Sequence, residues 1–172
     1  MVLVIRFILA MLASRFKRRI APLDEATLRF TVLPHDCDLN FHLNAGRFIS
    51  FMDVARVELL GRMRLFRKVI KRGWRPINGG MIIRYRRSLL PFERFAVRSR
   101  VIGWDAKWFY FEHVIENKDG QLCAIANARG LFRGKEGNVA PADFLALSGF
   151  DATTPPTLPP VVARWAEAEE LR

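Results

Sequence analysis

The sequence predicts an α+β fold: an antiparallel sheet of about five to six strands wrapped around one central helix, with an apolar helix added at the N-terminus. Three observations carry this. A strand-like run at 27–33 precedes a helix in which Phe48, Phe51, Met52, Ala55 and Leu59 recur at helical spacing. Four more strand-like runs, 81–88, 95–103, 108–117 and 122–132, then follow with only short turn-like connectors between them, as in a meander. Residues 2–13 are apolar except for Arg6, and a basic group follows at once.

At 172 residues the chain has the size of one domain with a single core. We expect that domain to run over 24–150, flanked by a segment at 1–20 and a tail at 151–172. As a helix, the twelve apolar residues at the start rise about 18 Å, against a hydrocarbon core of about 30 Å. A secretory signal would carry its charge before the apolar run, whereas Arg15, Lys17, Arg18 and Arg19 come after it. The expected arrangement is a helix lying in the cytoplasmic leaflet, with residues 2–19 in peripheral contact and the basic group on anionic head groups. The alternatives are a helix packed on the protein or on a second subunit and, less favoured, a full span extended to Phe16.

Leu28, Phe30 and Val32 alternate on one face of the first strand. Asn44 stands where the cap of the central helix belongs. Gly61 is expected to interrupt that helix, and 63–71 to form a second, basic one ending at Gly73. Asn78-Gly79-Gly80, Asp105-Ala106-Lys107 and Lys118-Asp119-Gly120 read as turns. The run from Trp108 to Val114 is apolar on both faces, so the helix covers one side and a subunit is expected on the other. A short helix at 140–147, a proline-rich spacer at 153–160 and a weakly docked helix at 161–171 complete the chain.

The formal charge is +11, and 22 of the 28 basic residues are arginine. Such a balance fits nucleic acid, an anionic membrane surface, or phosphorylated and acidic substrates. Aromatic and basic residues interleave at 104–111, but core packing explains them better than nucleic-acid stacking. No nucleic-acid partner is therefore expected. Two cysteines, Cys37 and Cys123, are too few for a disulfide framework, which points to a reducing compartment. No G-x-S-x-G, P-loop or G-x-G-x-x-G motif occurs, so serine-hydrolase and nucleotide readings lack their signatures.

The chemically equipped stretch is 34–43, which holds two carboxylates, two histidines and a thiol in ten residues. This loop delivers Asp36, Asp38 and His42 to the positive end of the central helix, where free N–H groups can polarise a carbonyl. A metal cluster of His35, Cys37, Asp38 and His42 matches no common zinc spacing, and no metal or other cofactor is expected. Cys37 as a nucleophile would need His35 or His42 as its base.

The pattern D-x-D-x-x-x-H-x-N, an aromatic, then A-R, on Asp36, Asp38, His42, Asn44, Phe48, Ala55 and Arg56, resembles the 4-hydroxybenzoyl-CoA-type hotdog-fold thioesterases. R-Y-R-R-S-L-L-P-F-E from Arg84 and G-W-D-A-K-W-F-Y-F-E from Gly103 resemble a thioesterase-like branch of that family. The resemblance covers roughly 26–134. The chain departs from the family at Ala45, usually Asn, and at Phe48, usually Tyr; both bear on substrate positioning rather than on the chemistry.

The resemblance implies a hotdog fold and hydrolysis of an acyl-CoA or acyl-carrier-protein thioester, in a homodimer or higher homo-oligomer. It puts Asp38 at the position of the catalytic carboxylate, attacking the carbonyl or activating water. His42 and Asn44 join it, His42 against the carboxylate or thioester and Asn44 as cap and loop support. Asp36 is a supporting like-charge neighbour able to raise the pKa of Asp38, or the reverse. Arg84, Arg86 and Arg87, with the basic helix at 62–75, suit CoA phosphates or an acidic carrier. The rival readings are a non-catalytic hotdog protein binding acyl chains or a partner at a membrane surface, and a hotdog hydratase.

Overall fold

The computed structural model describes residues 2–149 and 154–171. Its centre is helix α2 (Ala45–Arg62), whose apolar stripe of Phe48, Phe51, Met52, Ala55 and Leu59 is buried along its whole length. The other elements are α1 (Val2–Phe16), β1 (Ala26–Thr31), α3 (Phe66–Lys71), β2 (Arg75–Tyr85), β3 (Arg94–Trp104), β4 (Phe109–Asn117), β5 (Leu122–Gly134), β6 (Gly137–Val139), α4 (Pro141–Ala146) and α5 (Pro160–Glu170). All strand pairs are antiparallel, in the order β1-β3-β4-β5-β2, with the short β6 added to β5. The sheet curls around α2, which is the hotdog arrangement.

Two apolar clusters fill the space between helix and sheet. One, under the start of α2, gathers Phe48, Phe51, Met52, Phe95, Val97 and Ile115. The other, under its end, gathers Leu59, Met63, Phe109, Phe132, Phe144 and Leu145, with the Phe132 and Phe144 rings stacked at 4.2 Å.

Several expectations are corrected. Gly61 lies inside α2 rather than ending it. A Cβ there would come within 2.1 Å of Ser14 Oγ, so the glycine is where α1 crosses α2 closely. The break comes at Arg64, which adopts φ 61° while its guanidinium caps the end of α1 by donating to Ser14 O and Lys17 O. The basic helix therefore starts at Phe66, not at 63. Asn78-Gly79-Gly80 is a bulge within β2, not a turn, so β2 begins at Arg75 rather than at 81. A Cβ on Gly79 would meet the Trp108 ring at 2.2 Å, and Gly80 has φ 152°. Strand β6 is an addition.

The chain's own tail lies against part of the outer face of the sheet around the start of β4. Val162 of α5 is fully buried, and the Arg129 guanidinium lies between the Trp108 and Trp165 rings, donating to Glu169 at 3.0 Å. Helix α5 attaches through these few side chains, Val162 being its one buried residue, in keeping with the weak docking expected. Thr153, the start of the proline-rich spacer, and the boundary expected at 150/151 lie outside the described residues.

Helix α1 lies along α2 with its faces reversed from those of an ordinary surface helix. The stripe against α2 is Arg6, Ala10, Ser14 and Lys17, small or charged residues spaced at helical intervals. Ile5, Leu9, Leu12 and Phe16 point outward, with Phe16 90% exposed. Lys17 donates to Glu58, a fully buried carboxylate on α2, at 2.8 Å. The fifteen residues of α1 rise about 22 Å. Among the described residues no helix is long and apolar enough to cross a membrane.

Candidate active site

The loop between β1 and α2 is folded on itself by its own backbone. A short 3-10 turn, Pro34–Asp36, opens it, and Cys37 and Leu43 then bridge across its neck. Asp38 N–H donates to His42 O and Phe41 N–H to Asp38 O, with Phe41 in the left-handed region at φ 56°. Asn44 closes the loop: its N–H donates to Asp36 O, and its side chain accepts from Gly46 N–H to cap α2.

The two aspartates have unlike surroundings. The Asp36 side chain has 0% exposure, held by both arms of the Arg6 guanidinium at 2.9 and 2.7 Å and by Leu33 N–H at 3.1 Å. Burial alone would favour its protonated form. The Arg6 hydrogen bonds, the Leu33 N–H and the charges of Arg6 and His35 outweigh that and hold the carboxyl below the usual carboxylate range. Asp36 is therefore an ion-paired structural anion.

Asp38 is the open one, its side chain 26% exposed. Its Oδ1 accepts from Asn40 N–H at 3.0 Å and lies 3.4 Å from His42 Nδ1, while Oδ2 meets no protein donor among the described residues. His42 is itself about one-third exposed. Cys37 leans on Leu33 O, and burial together with the Asp36 and Asp38 charges pushes its thiol up, away from a nucleophilic thiolate. Among the described residues no three His, Cys, Asp or Glu side chains gather as a metal site requires.

The end of β2 reaches the same place. The Tyr85 hydroxyl donates to Ala45 O at the start of α2, and its ring meets Phe48 edge-on at 5.3 Å. Arg86 and Arg87 N–H groups both go to Cys123 O, and two residues on, Leu89 O accepts from Leu43 N–H. The segment carrying Arg84, Arg86 and Arg87 thus borders the loop and the helix start, with all three side chains exposed. Sequence reasoning missed Tyr85 and Arg6 as parts of this site. The lone charge in an apolar run was the signal for Arg6; nothing local marked Tyr85, whose contact is tertiary.

A separate apolar cavity of about 260 Å³ lies farther along α2, beside the outer edge of β2. Phe7, Val57, Leu60, Ile77 and Phe111 line it, with the ion-paired Asp53 and Arg56 in its wall.

Residues 32–166 match the family described as the thioesterase-like superfamily. The chain belongs to that superfamily. It is 38% identical over 119 residues to Protein THEM6 of Xenopus laevis, covering 66% of this chain and 58% of that one. It is 25% identical over 121 residues to a probable thioesterase of Saccharomyces cerevisiae, covering 67% of this chain and 51% of that one. The chain spans less than two thirds of the length of the curated relatives it matches. Among solved structures, the YbaW probable thioesterase of Escherichia coli superposes with TM-score 0.66 at 18% identity, covering 74% of this chain and 98% of that one. A 4-hydroxybenzoyl-CoA thioesterase variant bound to 4-hydroxybenzoyl-CoA gives 0.64 at 16%, covering 72% and 98%. These likenesses establish the hotdog fold.

Proposed function

We propose that the protein hydrolyses an acyl thioester, of CoA or of an acyl carrier protein, with Asp38 as the reacting carboxylate. The observation that carries this is the contrast within one loop: Asp36 is sealed and neutralised, while Asp38 keeps one oxygen open to solvent beside a helix N-terminus. Asp38 Oδ2 either attacks the thioester carbonyl, breaking the C–S bond to release the carrier thiol and leaving an anhydride that water hydrolyses, or takes a proton from a water whose oxygen attacks the carbonyl and displaces the thiol. His42 and Asn40 N–H hold Oδ1, fixing the direction of Oδ2. The Ala45 N–H and the dipole of α2 face the carbonyl oxygen as charge develops there. Arg84, Arg86 and Arg87 receive the phosphates of the carrier.

A homodimer belongs to the same reading. Strand β2 is eleven residues long and, among the described residues, pairs as a strand only with β5, so its other edge offers a second copy a row of backbone groups. The protein sits on the inner face of a membrane, with the outward apolar residues of α1 in the leaflet and Arg15, Arg18 and Arg19 on anionic head groups.

Thiol release from aliphatic and aromatic acyl-CoAs and from an acyl carrier protein tests the activity, with wild type and Asp38→Asn in parallel. The wild type turns over at least one thioester, and the variant loses about 10²-fold or more. A folded wild type inert on the whole panel, or a fully active variant, refutes the assignment and returns the chain to a binding role.

A further inference from the structure

We infer that Arg6, on the N-terminal helix, is a positioning residue for the reacting loop, so that α1 is a working part of the active site. The inference rests on the reading of Asp38 as the reacting carboxylate. Arg6 does not touch Asp38; it acts through Asp36. Its fork fills both oxygens of that carboxylate at 2.9 and 2.7 Å, and its guanidinium also lies 4.6 Å from the centre of the Phe51 ring, on the core side of α2. Arg6 is therefore held between the helix core and the loop, largely buried with a side-chain exposure of 14%.

Asp36 in turn is the knot of the loop. Its side chain takes Leu33 N–H, its own N–H goes to Leu33 O, and its carbonyl takes Asn44 N–H. One residue thus ties the entry of the loop to the cap of α2, and Asp38 projects from the stretch between. Without the Arg6 fork the buried carboxylate loses its close ion pair, keeps only the longer contacts to His35 at 3.5 Å and Arg47 at 3.8 Å, and moves toward water. Both ends of the loop move with it, and the open oxygen of Asp38 loses its aim.

Lys17 supplies an internal control. It pairs with Glu58, a second carboxylate with 0% exposure, at the far end of the same helix and away from the loop. Losing it weakens the attachment of α1 without touching the loop's hydrogen bonds.

The test compares full-length wild type, Arg6→Lys, Arg6→Met/Asp36→Asn, Lys17→Met and Asp38→Asn. The lysine variant keeps the charge and loses the fork. The double variant removes the stranded charge, so that it folds, and keeps an acceptor for Leu33 N–H. Two readouts are taken: hydrogen exchange at the amides of Asp38, Phe41, Leu43 and Asn44, and steady-state acyl-CoA hydrolysis.

Both Arg6 variants are expected to exchange faster at those four amides. Their kcat falls by about tenfold or more, approaching the 10²-fold that an ångström of misplacement costs, with KM within about twofold. Lys17→Met melts earlier but leaves loop exchange and kcat near wild type. Unchanged loop exchange or unchanged kcat in the Arg6 variants overturns the inference, and so does an equal loss in Lys17→Met. An inactive wild type, or an active Asp38→Asn, refutes the thioesterase reading instead; the exchange data then decide alone whether Arg6 holds the loop.

Discussion

Mild acid is expected to weaken the fold through one side chain, His113. It is fully buried on the inner face of β4, with Nδ1 2.7 Å from Ser99 Oγ and no hydrogen-bond partner for Nε2 among the described residues. Burial, and after it the charge of Arg56, pushes its pKa down to about 3. In the unfolded chain the imidazole returns to about 6.5. Because the folded value is the depressed one, the unfolded state binds the extra proton between those two values, and stability falls as pH falls through that window. Each full unit is worth about 1.4 kcal/mol, so going from pH 7 to pH 5 removes about 2 kcal/mol through this group. The assay is urea unfolding followed by tryptophan fluorescence at several pH values, for wild type and His113→Gln. Glutamine stays neutral and can still bond the Ser99 hydroxyl. The wild type should lose about 2 kcal/mol more than the variant over that interval. Parallel profiles would refute the reasoning, since they would mean that His113 takes up its proton while folded.

Two further outcomes follow from the reversed N-terminal helix. Gly61→Ala, normally favourable in a helix by about 1 kcal/mol, should instead lower stability by about 1–3 kcal/mol, because the new methyl meets Ser14 Oγ at 2.1 Å. Adding Ser14→Gly should restore the melting temperature, and an unchanged melt for Gly61→Ala alone would contradict the packing. For the bilayer, wild type should sediment with vesicles of mixed phosphatidylcholine and phosphatidylserine, and Leu9→Gln/Leu12→Gln should sediment at least about 100-fold less well, given about 1.5–3 kcal/mol per buried leucine. Failure of the wild type to bind those vesicles would remove the membrane from the account.

The periodic parts of the chain were legible without coordinates. The stripe on α2, the cap at Asn44 and the meander from β3 to β5 each announce themselves in local spacing. The errors came where a residue's meaning depends on a distant neighbour. Gly61 and Gly79 read as breakers, yet each makes room for one side chain far away in sequence, Ser14 and Trp108. In the loop, composition singled out Asp36 and Asp38 together but could not tell them apart. What separates them is Arg6, thirty residues upstream of Asp36.

Pairing two buried carboxylates with Arg6 of α1 and with Lys17 just after it has a consequence for how this helix would behave as a membrane anchor, were it to serve as one. Many anchors are tethers: they can be clipped, released or left waving while the globular part carries on. Such a release would take the close partner from Asp36 and from Glu58, leaving only His35 at 3.5 Å and Arg47 at 3.8 Å for the first and Arg62 at 3.9 Å for the second, at a cost of up to about 3–5 kcal/mol apiece, a large share of what holds a domain together. The protein must therefore reach or leave any surface as one rigid body, with its first helix in place. A protease cutting after Arg19 would leave an incomplete core rather than a stable domain.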